Sequence, residues 1–212
     1  MSSDPLAPLR SHGWIAEARR KSIHLATIVL PLGMLYQWTP WPRARSEWFV
    51  LLGTLTLIAI VIDVVRIHQR RVREFFRDFF GQMIREHEQF TLLGSTYLLI
   101  ASLLAIEVFP WPVAAAALGF TIVVDSLAAL VGRAWGRRRF FHKSLEGAAA
   151  GLAGGLLWAA FLAITGHLSW QVAVAGALAA SLIEILPIPL DDNLGVTLFS
   201  GYVMKMMTGG PV

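Results

Sequence analysis

The chain has 212 residues, 18 of them Lys or Arg and 14 Asp or Glu, for a net charge of +4. It is 56% hydrophobic with only 15% charged residues, and its mean hydropathy is +0.60. A soluble domain of this size carries about 25% charged residues, so the composition argues for a membrane protein. The length suits one domain over residues 1–212. With no cysteine, disulfides and thiolate metal sites are excluded. A pI near 10.0 here fits loops beside anionic lipid and gives no case for nucleic acid.

A bilayer core needs about 20 mostly apolar residues per helix. In chain order, the spans expected are 22–39, 47–67, 90–109, 111–132, 146–165, 169–186 and a shorter one over 194–208. The first comes late, lacks a small-residue cleavage site and is followed by more spans. It reads as a membrane helix and not a removed signal peptide. Pro40, Trp41 and Pro42, then Pro110, Trp111 and Pro112, then Trp170, punctuate the span ends, as interfacial belts do. With a cytoplasmic N-terminal segment over 1–21, the inner segments 1–21, 66–89, 133–145 and 187–193 hold fifteen of the 18 Lys and Arg. The positive-inside rule therefore favours a cytoplasmic N-terminus and about seven spans in an all-α bundle.

Residues 68–88 differ in kind. Val72, Phe75, Phe76, Phe79, Phe80, Met83 and Ile84 repeat at helical spacing, while Arg70, Arg73, Arg77 and Arg85 lie largely off that face. This pattern predicts an amphipathic helix lying in the interface, either as a connector or as a platform that admits a lipid from the side. On the fifth span Gly147, Gly151 and Gly155 form a small-residue strip. Such a strip lets another helix approach closely, in this chain or in a second subunit.

Ionisable groups in a membrane are costly and mark function. Asp125 lies seven residues before Gly132, about 10 Å inward. Asp63 and Arg66 share a helix face, either as a helix-holding ion pair or as part of a site. Glu184 precedes Pro187, and Asp191, Asp192 and Asn193 follow in the next loop. Lys143, Ser144 and Glu146 join the fourth and fifth spans, and Arg19, Lys21 and His24 open the first. All of these fall at the cytoplasmic end. A transporter more often places polar groups near the midplane, between repeated halves. Carboxylates with an Asn are hard oxygen ligands suited to Mg²⁺. Adjacent Lys and Arg suit polyphosphate. Together they are the parts of a phosphoryl-transfer site.

At these residues the sequence resembles the CTP-dependent lipid alcohol kinases, the family of phytol kinase, dolichol kinase and the yeast-type diacylglycerol kinase. Glu17 to His24 reads E-A-R-R-K-S-I-H, and Asp125 to Gly136 reads D-S-L-A-A-L-V-G-R-A-W-G. Lys143 to Gly147 reads K-S-L-E-G, and Glu184 to Leu194 reads E-I-L-P-I-P-L-D-D-N-L. Four matches stand in family order from about Glu17 to Tyr202. One departure is Val124, where many members have Gly before the aspartate.

The resemblance implies transfer of the γ-phosphate of CTP to the hydroxyl of a membrane lipid alcohol, with Mg²⁺. An isoprenoid alcohol such as phytol, geranylgeraniol or a polyprenol is the favoured acceptor. The roles it suggests are metal binding or hydroxyl orientation for Asp125, Asp191 and Asp192, and phosphate contact for Lys143, Arg133 and Lys21. Ser144, Glu146, Gly147 and Asn193 would shape the nucleotide pocket, and His24 and Glu184 would be acid–base candidates. The rivals are a CDP-diacylglycerol synthase-like cytidylyltransferase, a membrane transporter and a non-catalytic assembly protein.

Overall fold

A computed structural model describes residues 7–81, 84, 87–141 and 143–209, with side chains from residue 14 onward apart from His87. Of the residues discussed above, Met83 and Arg85 lie outside the described set. The chain is a helical bundle: α1 (Ala7–Ala26), α2 (Val29–Tyr36), α3 (Arg45–His68), α4 (Arg70–Phe80), α5 (Gly94–Val108), α6 (Trp111–Trp135), α7 (Leu145–Ile164), α8 (Trp170–Ile185) and α9 (Asp192–Met207). A two-residue hairpin, β1 (Arg139–Phe140) with β2 (Lys143–Ser144), links α6 to α7.

Among the described residues, three helices, α3, α6 and α7, are long and apolar enough to cross a bilayer. α5 and α8 are apolar but have 15 and 16 residues, or about 22 and 24 Å of helix. The segment expected as one span over 22–39 is instead two helices. Pro31 has no N–H to give the Thr27 carbonyl, so the ladder tightens at Thr27 and Ile28 before α2 resumes. α1 begins fifteen residues upstream of that expected span, at Ala7, and carries Glu17, Lys21 and His24 on one continuous helix.

α6 is the central column. In its most apolar stretch 78% of residues are buried, against 22% for peripheral α3. Small residues explain how neighbours come so close. Gly147, Gly151 and Gly155 of α7 are buried against α6, and a Cβ on Gly147 would lie 2.5 Å from the Ala128 carbonyl oxygen. The strip is thus used within the chain and leaves no glycine face there for a second subunit. Gly119 of α6 in turn receives the indole of Trp158, whose Nε1 donates to the Ala116 carbonyl.

Asp63 and Arg66, both fully buried, hold the α3–α5 connection. Asp63 Oδ1 accepts from Arg66, and its Oδ2 accepts from Leu93 N and Thr96 Oγ1 at 2.8 and 2.7 Å. The Arg66 guanidinium donates onward to the carbonyls of Glu88 and Thr91. Of the two readings the sequence allows, this geometry is the helix-holding one, since all of Asp63's oxygens serve the fold. At the opposite end Arg45 donates to the last carbonyls of α5, including those of Glu107 and Phe109. The amphipathic pattern over 68–88 forms a helix over Arg70–Phe80, with a 3-10 turn at His87–Gln89.

Candidate functional site

The polar residues singled out above converge at one end of the bundle, drawn from helices far apart in sequence. Asp125 projects from the buried side of α6. Lys21 of α1 pairs with its Oδ2, and His24 Nε2, one turn further along α1, lies 3.3 Å from the same oxygen. That His24 nitrogen is buried and makes no hydrogen bond. Glu17, one turn before Lys21, is also buried and pairs with Arg20 and, at 3.6 Å, with Arg133 at the end of α6. The i, i+3 and i+4 spacing of Glu17, Arg20, Lys21 and His24 puts all four on one side of α1.

The second half of the site hangs on Lys143. The hairpin delivers its ammonium between α8 and α9, where it donates to Glu184 Oε1 at 2.9 Å and to both Asp192 oxygens at 3.1 Å. It also donates to the Glu184 carbonyl, satisfying a helix-end acceptor of α8. Burial pulls the Lys143 pKa down, but the Glu184 and Asp192 carboxylates together more than offset this, and the net direction is up. Lys143 is therefore a fixed positive charge at any physiological pH.

Asp125, Glu184 and Asp192 offer carboxylate oxygens that all lie within 4.8 Å of one another. Glu184 is 4% exposed, and its Oε2 is buried with no hydrogen-bond partner. An orphaned carboxylate oxygen in a cluster of hard donors is what a divalent cation such as Mg²⁺ would satisfy. The donor set thus fits the metal expected, with Glu184 in it. Asp191 stands differently. It is the N-cap of α9, where its Oδ1 accepts from the Asn193 backbone N–H at 3.0 Å and from Asn193 Nδ2 at 2.9 Å. Its pKa is pushed up by burial, against the hydrogen bonds from Asn193. Asn193 reaches on to the Gly94 carbonyl and ties α9 to α5.

Beside the cluster lies a cavity of about 310 Å³ between α1, α4, α5 and α9. Lys21, His24, Asp125, Asp191, Asp192 and Asn193 form its polar wall, and Ile23, Phe76, Phe80 and Leu98 an apolar one. Ile23 and Phe80 are 59% and 43% exposed, so the apolar side reaches the flank of the bundle. The cavity unites a charged head and a greasy slot.

The K-S-L-E-G word divides between tasks. Lys143 enters the site, whereas Ser144 is the N-cap of α7 and accepts from Gly147 N at 3.1 Å. A Cβ on Gly132 or Gly136 would lie 2.8 Å from Ser144 Oγ, so those two glycines make room for the cap. Glu146 accepts from the backbone N–H groups of Arg137 and Arg138 and braces the hairpin. Ser144, Glu146 and Gly147 therefore position Lys143. Glu17, Phe76, Phe80 and Glu88 were not singled out by sequence as site residues. For Glu17 the helical spacing to Lys21 was the available signal. Phe76 and Phe80 carried only an amphipathic pattern, and Glu88, a cavity-lining carboxylate, carried none.

No family model matches the chain, and no solved structure matches it. It is similar to Uncharacterized protein RP860 of Rickettsia prowazekii (strain Madrid E), at 26% identity over 189 residues, covering 86% of this chain and 90% of that protein.

Proposed function

We propose that this chain is a multi-pass membrane kinase with about seven spans and a cytoplasmic N-terminus, transferring the γ-phosphate of CTP to the hydroxyl of a lipid alcohol. The observation that carries the reading is the Asp125–Glu184–Asp192 cluster, flanked by Lys21 and Lys143, at the head of a cavity with an apolar flank. The four motifs shared with the CTP-dependent lipid alcohol kinases support it, and CTP as donor rests on them. A site at one end of the bundle suits a reaction between a water-soluble donor and a membrane-embedded acceptor.

In this reading Asp125, Glu184 and Asp192 hold Mg²⁺, which when bound neutralises charge on the donor phosphates. Lys21 and Lys143 now lie against those carboxylates, and they turn to phosphate oxygens when nucleotide arrives. The acceptor lies with its chain along Phe76, Phe80 and Leu98 and its hydroxyl near His24. The hydroxyl oxygen attacks the γ-phosphorus, and the bond to the β-γ bridging oxygen breaks. CDP leaves, and His24 Nε2 takes the hydroxyl proton. Arg133, held by Glu17 at the mouth of the site, meets the entering nucleotide.

Turnover by purified protein in detergent tests this, with Mg²⁺, CTP or ATP and a panel of lipid alcohols. CDP formed only when an isoprenoid alcohol is present supports the kinase. Pyrophosphate in its place makes the protein a cytidylyltransferase. No turnover from folded protein returns the cluster to an ion site.

A further inference from the structure

α4 separates two cavities. One is the acceptor slot. The other, of about 320 Å³, is lined by Arg66, Arg70, Arg73 and Arg77, with Glu74 the one acidic lining residue among the described residues. The 3.6-residue period sorts α4 into three stripes. Phe76 and Phe80 face the acceptor slot. Arg70, Arg73 and Arg77 face the basic cavity. Phe75 and Phe79 pack against each other at a tilt, with ring centroids 4.5 Å apart, and are 53% and 70% exposed.

Arg73 is the built part of the basic cavity. Its Nη2 donates to the Ile67 carbonyl at 2.9 Å, and its guanidinium lies 4.9 Å over the Phe90 ring. Its Nε, however, is buried with no hydrogen-bond partner. A guanidinium held over an aromatic ring with a spare N–H is set to receive an oxyanion. Arg70 and Arg77 stand on either side, and among the described residues their carboxylate neighbours, Glu74 and Asp78, are exposed.

We infer that this cavity binds the phosphate of an anionic membrane phospholipid, docking α4 on the bilayer surface and fixing the wall of the acceptor slot. Two features favour a lipid over a soluble phosphate. The lining includes Phe76, Phe90 and Ile84, which suit glycerol and acyl carbons. The exposed Phe75–Phe79 stripe puts the same helix at headgroup depth, with its arginines level with lipid phosphates. Phe76 and Ile84 line both cavities, so a lipid seated in one steadies the wall of the other. The inference rests on the membrane placement of α4, but not on kinase activity.

The test is lipid retention by the full-length protein in mild detergent, read by native mass spectrometry without nucleotide. The probes are phosphatidylglycerol and phosphatidylcholine. Wild-type protein should retain phosphatidylglycerol selectively. Arg70→Gln/Arg73→Gln/Arg77→Gln should bind it on the order of a hundredfold more weakly, each arginine near the surface contributing around a factor of five. Arg70→Gln/Arg77→Gln changes only exposed side chains, keeps the fold, and should lose on the order of twentyfold. A triple Gln variant at Arg137, Arg138 and Arg139 removes the same charge elsewhere and should retain the lipid. Equal loss in that control would overturn the site in favour of diffuse attraction. Full displacement of lipid from wild type by millimolar inorganic phosphate would make it a soluble-phosphate site. Unchanged retention in both α4 variants would refute it outright.

Discussion

Lys21 of α1 and Asp125 of α6, 104 residues apart, form a buried ion pair in the C-terminal half of the central helix. The pair joins the first helix to the middle of the chain. It also leaves Asp125, one of the three clustered carboxylates, held by an ammonium. Replacing Asp125 by Asn keeps the shape and removes the charge. Asp125→Asn and Asp192→Asn should each lower turnover by several orders of magnitude if they ligate the metal. Both should also weaken Mn²⁺ binding, measured by electron paramagnetic resonance on the protein without nucleotide. Near-wild-type turnover in both variants would remove these carboxylates from the chemistry.

Asp191 should part company with Asp192. As an N-cap it needs an acceptor oxygen, not a charge. Asp191→Asn should therefore keep turnover and stability. Asp191→Ala should cost about 1 kcal/mol of stability, typical for a lost cap, with turnover changed little once the protein is folded. Thermal unfolding beside an activity assay separates the two. A large loss of turnover in Asp191→Asn would give Asp191 a ligand's role.

Gly147 belongs to the most recognisable word of the sequence, yet it packs against the Ala128 carbonyl and Gly132. Gly147→Ala should lower the unfolding temperature by pushing α7 off α6, since backbone lies in the way of the new methyl. Its effect on nucleotide KM should be secondary to that. A variant with normal stability and a strongly raised KM would return Gly147 to the nucleotide pocket.

Lys143 gives a pH prediction with a definite sign. Its pKa is raised in the folded protein, so its stabilising contribution is complete below the ordinary lysine value of about 10.4. That contribution is lost only as pH rises through the higher folded value. Stability should show no loss from this group between neutral pH and about 10. A decline above that should be absent in Lys143→Met, which starts less stable at neutral pH because Glu184 and Asp192 lose their cation. A Lys143-dependent fall near neutrality would contradict the raised pKa.

The Asp63–Arg66 pair is expected to matter for folding alone. Removing one partner of a buried, fully bonded pair typically costs about 3–5 kcal/mol, so Asp63→Asn and Arg66→Met should unfold readily. Whatever folded protein remains should keep its KM values. A changed KM with unchanged stability would place the pair in the site.

Much of this end of the molecule was legible in the chain because charge is costly in an apolar sequence. Lys21, Asp125, Lys143, Glu184 and Asp192 stand out for that reason, and all five meet. What spacing could not assign was the division of labour among neighbours. Asp191 and Asp192 are adjacent and chemically identical, and only the start of α9 decides which one caps and which one faces Glu184. The resemblance implied a nucleotide-pocket role for Ser144 and Glu146; spacing gave no sign that they also cap α7 and brace the hairpin. The break at Thr27 and Ile28 had its signal in Pro31, hidden in an otherwise continuous apolar run. Phe76 and Phe80 were readable as a helix face, but not as the wall of a cavity whose other wall comes from α1.

The three carboxylates come from α6, α8 and α9, and the lysines opposing them from α1 and the hairpin. A ribosome builds these in order, so a nascent chain that has released only α1 to α8 carries both ammoniums and two carboxylates. Charge there is balanced, and a divalent ion gains little by entering. Emergence of α9 adds Asp192 and tips the sum to net negative. If the cluster holds the metal proposed above, that affinity would arise only late in biogenesis, once α9 is in place.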